Sequence, residues 1–269
     1  RQARKSTRIE ARGAPHVPGM KLLVVAPNWI GDAIMAQPLL RLLRARWPDA
    51  LITVLAPPHV APVFECMAEV AHVIPEALVH GKLQWRARVA IARNLRGLRF
   101  DRAYVLPNSF KSAVIPWLAR IPVRVGYTGE ARAWLVNRRL PNPDKRHRPP
   151  MTRWYAALAG IDDAPSAARA AALDAGGADR PRLAVELARV AIVKAKYLGS
   201  APLCVGFCPG AEYGPAKRWP AAHFARLAAL IVNALPGVQI ACLGGPKDRE
   251  IADEIARTAG VQVRNLCGE

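Results

Sequence analysis

The sequence lacks any apolar run that approaches the roughly 20 residues a membrane-spanning helix needs. It is nevertheless rich in apolar residues, which make up 52% of the 269 positions, while charged residues make up 22%. This composition excludes a disordered chain and predicts a soluble globular protein with a substantial core. The length suits one large domain or two ordinary domains.

Cysteine is scarce, and its five copies form no CxxC pair. Most lie in apolar, strand-like runs such as LCVGFC and IACLGG. This pattern indicates reduced, buried thiols in a cytosolic protein rather than a disulfide framework or a zinc site. Cys204 and Cys208 come nearest to a ligand pair, but they stand at strand spacing and have no second pair. We therefore expect no metal site and no cofactor.

Acidic residues are few, since 20 Asp and Glu stand against 39 Lys and Arg, for a formal net charge of +19. This excess indicates a polyanionic partner, which is a nucleic acid, an anionic membrane surface or a phosphorylated substrate. The alternative is that arginine simply covers solvated faces. The basic residues are spread along the whole chain, and no RNP, helix-turn-helix or zinc-finger pattern occurs. Nucleic-acid binding is therefore the weaker hypothesis, and we expect none.

Apolar runs and amphipathic stretches alternate along the chain from Met20 onwards. Strands are predicted over Lys21–Ala26, Leu51–Leu55, Val73–Ile74, Ala103–Leu106, Val123–Tyr127, Leu203–Phe207 and Val238–Leu243, with a further strand starting at Val261–Val263. Helices are predicted over Ala33–Arg46, Val60–Ala68, Leu83–Leu95, Ser109–Ala119, Ala221–Leu235 and Asp248–Ala259. This alternation predicts an α/β fold of two doubly wound, parallel-sheet units, of which the second is incomplete.

The composition also predicts domain boundaries. Residues 1–19 are basic and polar, and we expect them to be a disordered extension that precedes a natural start at Met20. Residues 20–139 form the first predicted domain. Residues 140–200, which open with LPNPDKRHRPP, are predicted to be a linker with connecting helices. Residues 201–269 form the second, partial domain.

The loop after the first strand, PNWIGD, is the first candidate site, because ligands of doubly wound sheets bind beyond the carboxyl ends of the strands. Gly31 is expected to allow close backbone approach or an unusual φ. Asp32 has two interpretations, a helix N-cap or a general base that faces the cleft. The loop is not GxGxxG, so the ordinary dinucleotide fingerprint is absent.

The loop that follows the first strand of the second unit, CPGAEYGPAKRWP, is rich in glycine and proline and contains two cations. Backbone N–H groups and a lysine at a helix start make a phosphate site. The GK[ST] ending of a Walker A loop is missing. The alternative is an ordinary β-α loop with solvated cations.

Two further loops also follow strands. In LPNSFKS, Ser109 is either a helix cap or part of a site, and Lys111 is either solvated or faces an anionic substrate. In GGPKD, Asp248 either caps a helix or binds ribose hydroxyls.

Taken together, the segments NWIGDAIMAQPL, YVLPNSFKSA and FCPGAEYGPAKRWP resemble the ADP-heptose:lipopolysaccharide heptosyltransferases, and most closely their type II branch. The resemblance covers Met20 to Glu269. It implies a GT-B architecture, in which two Rossmann-like domains face each other across a cleft, and a metal-independent inverting transfer. It further implies a cytoplasmic enzyme, peripheral on the inner face of the inner membrane and monomeric.

The resemblance also assigns roles to residues. Asp32 matches the family's catalytic base, and Lys217 matches the lysine that holds the donor diphosphate. The implied ADP-heptose site comprises Gly210, Ala211, Glu212, Tyr213, Lys217 and Asp248. The implied site for the phosphorylated lipid A core comprises Asn28, Gly31, Asn108, Lys111, Arg120, Arg124 and Arg132.

The sequence departs from the family in one respect. Family members continue past RNLCGE into a D-S-G-x-x-H segment near the donor phosphates, and this chain has no such segment. We therefore expect the chain to be truncated at its C-terminus. The alternative function is that of an inactive paralogue that only binds nucleotide.

Overall fold

The computed structural model describes residues 19–78, 82–160, 195–197, 199, 203–211 and 215–269. The chain divides into two compact units. The described residues up to 160 belong to the first unit, and those from 195 onwards belong to the second. No helix in these ranges has the length and apolar character that a membrane span requires.

The first unit is built on a six-stranded sheet in which every neighbouring pair is parallel. Its strands are β1 (Lys21–Val25), β2 (Leu51–Ala56), β3 (His72–Pro75), β4 (Arg102–Val105), β5 (Val123–Tyr127) and β6 (Arg138–Leu140). They lie in the order β3-β2-β1-β4-β5-β6. This is the doubly wound Rossmann order, which reverses between β1 and β4. The predicted fold class is confirmed, and the reversal marks where a ligand crevice is expected.

Helices cover both faces of this sheet. They are α1 (Ile30–Met35), α2 (Gln37–Arg46), α3 (Ala61–Glu65), α4 (Trp85–Leu98), α5 (Phe110–Leu118) and α6 (Met151–Ala156). Side chains alternate between the faces of a strand. Leu22 and Val24 of β1 therefore pack in the core under α2, while Leu23 and Val25 pack in a second core under α4 and α5.

The helix predicted over Ala33–Arg46 differs in the structure. It begins earlier, at Ile30, and is broken at Ala36 into α1 and α2. Pro38 stands in the first turn of α2. Proline has no N–H to continue a helix, but it fits the first turn, where that N–H has no partner. The break therefore follows from the local sequence.

Residues 138–160 also differ from the sequence prediction, which placed the end of the first domain at 139. Strand β6 extends the sheet to Leu140, and α6 packs on the core of the first unit. The rings of Tyr127 and Trp154 stack with centroids 4.3 Å apart. The Tyr127 hydroxyl donates to the Trp154 carbonyl at 2.6 Å. Residues 151–160 are thus part of the first unit, because their aromatic side chains complete its core.

The second unit contains a three-stranded parallel sheet in the order β7-β8-β9. Its elements are β7 (Cys204–Phe207), α7 (Ala221–Ala234), β8 (Gln239–Cys242), α8 (Arg249–Thr258) and β9 (Val263–Asn265). Phe207, Ala228, Ile240 and Ile255 are core residues between the sheet and the helices. The predicted β-α-β order is confirmed, with β9 starting two residues later than expected.

Candidate functional site

A cavity of about 350 Å³ opens in the first unit at the carboxyl ends of β1 and β4. This is the point at which the strand order reverses, where doubly wound sheets bind their ligands. The cavity is lined by Val25, Ala26, Asn28, Glu76, Leu78, Arg88, Pro107, Ser109, Lys111, Ser112, Ile115 and Glu130. The structure therefore brings residues of the PNWIGD and LPNSFKS loops to one cavity.

Asp32 lies in the first turn of α1, directly after the loop that contributes Asn28 to the cavity. It is not the N-cap, because Trp29 occupies that position and no side chain caps this helix. Burial raises the pKa of Asp32 above its ordinary value, and no hydrogen bond among the described residues opposes that shift. A half-buried carboxyl with a raised pKa and free oxygens is suited to accept a proton from a bound hydroxyl.

Helix α6 lies beside Asp32 and contributes Tyr155, which the sequence analysis did not single out. Tyr155 is buried, and both its burial and the negative charge of Asp32 raise its pKa, while the positive charge of Arg148 lowers it. The phenol is therefore neutral beside the carboxylate. The sequence offered no signal for this neighbour, because α6 was predicted to be part of the connecting segment.

Glu76 is a second carboxyl that the sequence analysis missed. It follows β3 and lines the cavity, and its Oε2 is buried without a hydrogen-bond partner among the described residues. Burial raises its pKa to about 7, although the nearby charge of Arg88 and a hydrogen bond from the Leu78 backbone act in the opposite direction. Its position after a strand was the available signal, but Pro-Glu-Ala resembles no motif.

Arg88 is the buried cation of the cavity wall. It is 6% exposed, and its Nε donates to the Leu83 carbonyl at 2.6 Å while its Nη1 donates to the Lys111 carbonyl at 2.9 Å. These bonds fix α4 against the start of α5. The same contacts hold the backbone of Lys111, whose side chain lines the cavity.

Asn28 and Gly31, which were predicted on the acceptor side, lie at opposite ends of the PNWIGD loop. Asn28 lines the cavity, and its carbonyl is 2.9 Å from Nε2 of His59. Gly31 lies inside α1 with an ordinary helical backbone, so the expectation of an unusual φ is wrong. A Cβ at Gly31 would meet no atom within 4 Å, which leaves its backbone open to close approach.

Asn108 has a structural contact that the sequence did not reveal. Its Nδ2 donates to the Thr128 carbonyl at 3.1 Å, and its side chain covers Gly129, where a Cβ would lie 2.6 Å from Nδ2. Its Oδ1 is buried without a hydrogen-bond partner in the described part of the chain. Ser109 is the N-cap of α5 and accepts from the Ser112 N–H, which confirms the capping interpretation.

The three arginines predicted to meet acceptor phosphates are not equivalent. Arg132 is only 1% exposed, and its guanidinium donates to the carbonyls of Tyr127 and Pro107 at 2.7 and 2.6 Å. Burial lowers its pKa to about 10. Arg124 donates to the carbonyls of Leu135 and Ile121 at 2.6 and 2.5 Å. Both side chains therefore hold backbone together, and Arg132, which is almost fully buried, is not available to a phosphate.

Arg120 is exposed and takes a left-handed φ of 59° after α5. Of the three arginines, it is the one whose side chain is open to an anionic ligand.

The predicted donor loops of the second unit also converge. Gly210 follows β7, and Asp248 precedes α8. Asp248 Oδ2 accepts from the Gly245 N–H at 3.0 Å, so this carboxylate closes the Gly-Gly-Pro turn and makes no capping bond to α8. Ala211 lies beside Gly210, and its carbonyl accepts from Arg218 Nη2 at 3.1 Å. Lys217 ends a 3₁₀ turn and is exposed.

Glu212 and Tyr213, the other predicted donor residues, lie outside the described residues. In the described part of the chain, no three His, Cys, Asp or Glu side chains are grouped so that they could hold a metal ion.

Comparison with known proteins connects these loops to one family. The profile of glycosyltransferase family 9 (heptosyltransferase) matches residues 88–269. Lipopolysaccharide heptosyltransferase 2 of Salmonella typhimurium is 42% identical over 257 residues, which cover 93% of this chain and 72% of the relative. The structure of ADP-heptose lps heptosyltransferase II of E. coli matches with a TM-score of 0.77 and 38% identity, over 93% of this chain and 73% of that one.

A family 9 structure from Veillonella parvula is 18% identical with a TM-score of 0.74, over 96% of this chain and 72% of that one, and shows the shared fold alone. The profile match and the 42% identity to heptosyltransferase 2 show membership of the family and not only a shared fold. The chain belongs to glycosyltransferase family 9, the heptosyltransferases.

Proposed function

We propose that the protein transfers heptose from ADP-heptose to the heptosylated, phosphorylated lipid A inner core in lipopolysaccharide biosynthesis. The observation that carries this proposal is Asp32, a half-buried carboxyl at the Rossmann switch point of a family 9 chain. Its oxygens accept no hydrogen bond among the described residues, so they are available to a substrate hydroxyl.

The reaction is an inverting single displacement. Asp32 takes the proton from a heptose hydroxyl of the acceptor as that oxygen attacks the anomeric carbon of the donor. A new carbon–oxygen bond forms on one face of the sugar, and the bond to the diphosphate breaks on the other. The electron pair of the broken bond leaves with ADP. Protonated Asp32 then returns its proton to solvent.

The leaving diphosphate gathers negative charge, and the loop after β7 is suited to stabilise it. Lys217 is an exposed cation in the turn before α7, and the Gly210 and Ala211 backbone lies at the carboxyl end of β7. A cation and N–H groups at such a position bind phosphate oxygens. Losing one such contact in the transition state typically costs about 2.7–4 kcal/mol. Asp248 is proposed to contact the donor ribose.

The acceptor is proposed to bind at the cavity of the first unit, through Asn28, Gly31, Lys111 and Arg120. Asn28 and Lys111 supply a polar rim at the cavity, and Arg120 supplies an exposed guanidinium. Since this acceptor is a lipid, the protein is proposed to act at the inner face of the inner membrane. We propose that it does so as a monomer.

The experiment that tests the function offers ADP-heptose, UDP-glucose and GDP-mannose in turn, with mono-heptosylated lipid A core as acceptor. We expect product with ADP-heptose alone. The chain is assayed beside a version that carries the C-terminal D-S-G-x-x-H segment of the family, so that a requirement for that segment is measured separately. Nucleotide binding without transfer by either version would overturn the proposal and favour a nucleotide-binding paralogue.

A further inference from the structure

The surface formed by α4, α5 and residues 131–139 is rich in basic residues, and one exposed carboxylate, Glu130, accepts from the Phe110 N–H at 2.8 Å at its edge. Residues 82–99, 109–124 and 131–139 contain twelve Lys and Arg and no Asp or Glu. Arg88, Arg124 and Arg132 are buried or half-buried and are held by backbone carbonyls. Eight are exposed, namely Lys82, Arg86, Arg93, Arg96, Arg99, Arg120, Arg138 and Arg139. A surface with this much charge of one sign attracts an anionic partner.

These segments form one continuous layer on one face of the sheet. Ala92 and Leu95 of α4 share a core with Val114 and Ile115 of α5 and with Leu135. Arginines of α4 also bond α5 at both of its ends. Arg88 Nη1 donates to the Lys111 carbonyl at 2.9 Å, and Arg96 Nη2 donates to the Leu118 carbonyl at 2.6 Å. The exposed cations of α4, with Arg120 and Arg139, therefore belong to one rigid surface. Arg138 points to the opposite face of the sheet, because it shares a side of β6 with Leu140, which packs in the other core.

Aromatic rings lie exposed within this basic layer. Phe110 and Trp117 stand two turns apart on α5, and Trp134 packs against both, with ring centroids 6.0 and 5.2 Å away. Trp134 is 57% exposed and Trp117 is 37% exposed. Trp85 of α4 is a further exposed indole. Large apolar groups grouped on a surface mark an interaction site.

We propose that this basic aromatic face docks the protein on an anionic lipid bilayer. An indole has an apolar body and a polar N–H, which suits the boundary between headgroups and acyl chains. The surrounding arginines match the negative charge of the lipid phosphates, and each basic residue near such a surface strengthens binding about fivefold. The combination of exposed indoles with a large excess of cations over acidic residues favours a bilayer over an acidic protein. This inference rests on the proposed function only in that its acceptor is a membrane lipid.

The first test measures partition of the protein onto vesicles of phosphatidylcholine, with and without about 30% phosphatidylglycerol, at fixed ionic strength. We expect binding to the anionic vesicles and little to the neutral ones. The double variant Arg86→Glu/Arg93→Glu is compared with Arg226→Glu/Arg257→Glu, which reverses two exposed charges on α7 and α8. The α4 variant is expected to bind at least about 20-fold more weakly than wild type, and the control within about threefold.

A second variant tests the aromatic part of the face. Trp134→Ala is expected to lower partition onto anionic vesicles several-fold. When the wild type binds vesicles, its tryptophan fluorescence is expected to shift to the blue, and the part of the signal that comes from Trp134 is found by comparison with the variant. Urea unfolding of each variant shows whether the fold is intact, so a loss of binding with an unchanged midpoint is read as loss of docking.

Three results would overturn the proposal. One is equal loss in the two charge-reversal variants, which would indicate a net-charge effect. Another is full retention of binding by the α4 variant, which would place the contact elsewhere, for example in the basic residues 1–19. The last is tighter binding to duplex DNA than to anionic vesicles at the same salt. No step of this test uses heptose transfer, so its failure and the failure of the proposed transfer are separate results.

Discussion

Gly210 and Asp248 are in close contact, and residue 210 must be glycine if the Asp248 side chain is to keep its position. A Cβ built on Gly210 would lie 2.2 Å from Oδ1 of Asp248, which is closer than two non-bonded atoms can approach. The carboxylate is in turn held by the Gly245 N–H at 3.0 Å. Two loops that are 38 positions apart in the sequence are therefore locked together at the carboxyl ends of β7 and β8.

The Gly210→Ala variant is expected to displace the Asp248 carboxylate and break its bond to the Gly245 N–H, because the added methyl group occupies the carboxylate's position. We expect ADP-heptose to bind about tenfold more weakly, because the displaced carboxylate loses its proposed charge-assisted contact with the donor ribose. Calorimetric titration with ADP-heptose measures this. Gly97→Ala, near the C-terminal end of α4 where a Cβ meets nothing within 4 Å, is the matched control. Equal affinities for the Gly210→Ala variant and wild type would contradict the role of this contact.

Lys217→Ala is expected to lower kcat by about 100-fold or more, because the charge that stabilises the leaving diphosphate is lost in the transition state. The measurement is steady-state transfer with ADP-heptose. Arg257→Ala, which removes an exposed cation of α8, is the control and is expected to keep its kcat. An unchanged kcat in Lys217→Ala would show that this cation is solvated and serves no catalytic purpose.

Arg132→Met is expected to destabilise the first unit by about 3 kcal/mol, because the carbonyls of Tyr127 and Pro107 lose their buried donors. Urea unfolding measures the change. Arg120→Met removes an exposed guanidinium and is expected to change stability by no more than about 0.5 kcal/mol. If the two substitutions had equal effects, Arg132 would not be the structural residue that its burial indicates.

Glu76→Gln is expected to change how stability depends on pH. Burial raises the folded-state pKa of Glu76 to about 7, from an ordinary value near 4.5. A carboxyl with a raised folded-state pKa favours folding fully below its unfolded pKa, and this contribution is lost as pH rises through the folded value. Glutamine has the same size and no charge, so the variant should gain stability relative to wild type as pH rises.

We expect that gain to be on the order of 1 kcal/mol at pH 8 after solvent screening, because the side chain is only partly buried. Urea unfolding at pH 4 and pH 8 measures it. The difference between the variant and wild type should be small at pH 4. A difference that is the same at both pH values would show that Glu76 titrates normally.

Much of the fold could be predicted from the sequence, because the spacing of apolar residues and the local composition distinguish strands from helices. The strand at Val123–Tyr127 is found at the predicted residues, and α7 differs from its prediction by one residue. Strand β6 and helix α6 were not predicted, because Arg-Arg-Leu lacks an apolar pattern and α6 follows a segment rich in proline and charge. Their structure depends on tertiary contacts such as the Tyr127–Trp154 stack.

The site was predictable in its loops and less so in its side chains. The PNWIGD and LPNSFKS loops follow β1 and β4, and the strand order brings both to one cavity. Charge alone did not distinguish Arg132, which is buried against carbonyls, from Arg120, which is exposed. Glu76 and Tyr155 were missed for a related reason. Their raised pKa values come from burial by residues distant in sequence.

The role of Asp32 as the base is tested most directly by single-turnover transfer with the Asp32→Asn variant, measured together with its affinity for ADP-heptose. Asparagine keeps the size of the side chain but cannot accept the proton. Asp144→Asn, which changes an exposed carboxyl that makes no capping bond, is the control. We expect donor affinity within about threefold of wild type and a transfer rate at least about 100-fold lower. A rate within tenfold of wild type, at unchanged affinity, would show that Asp32 is not the base.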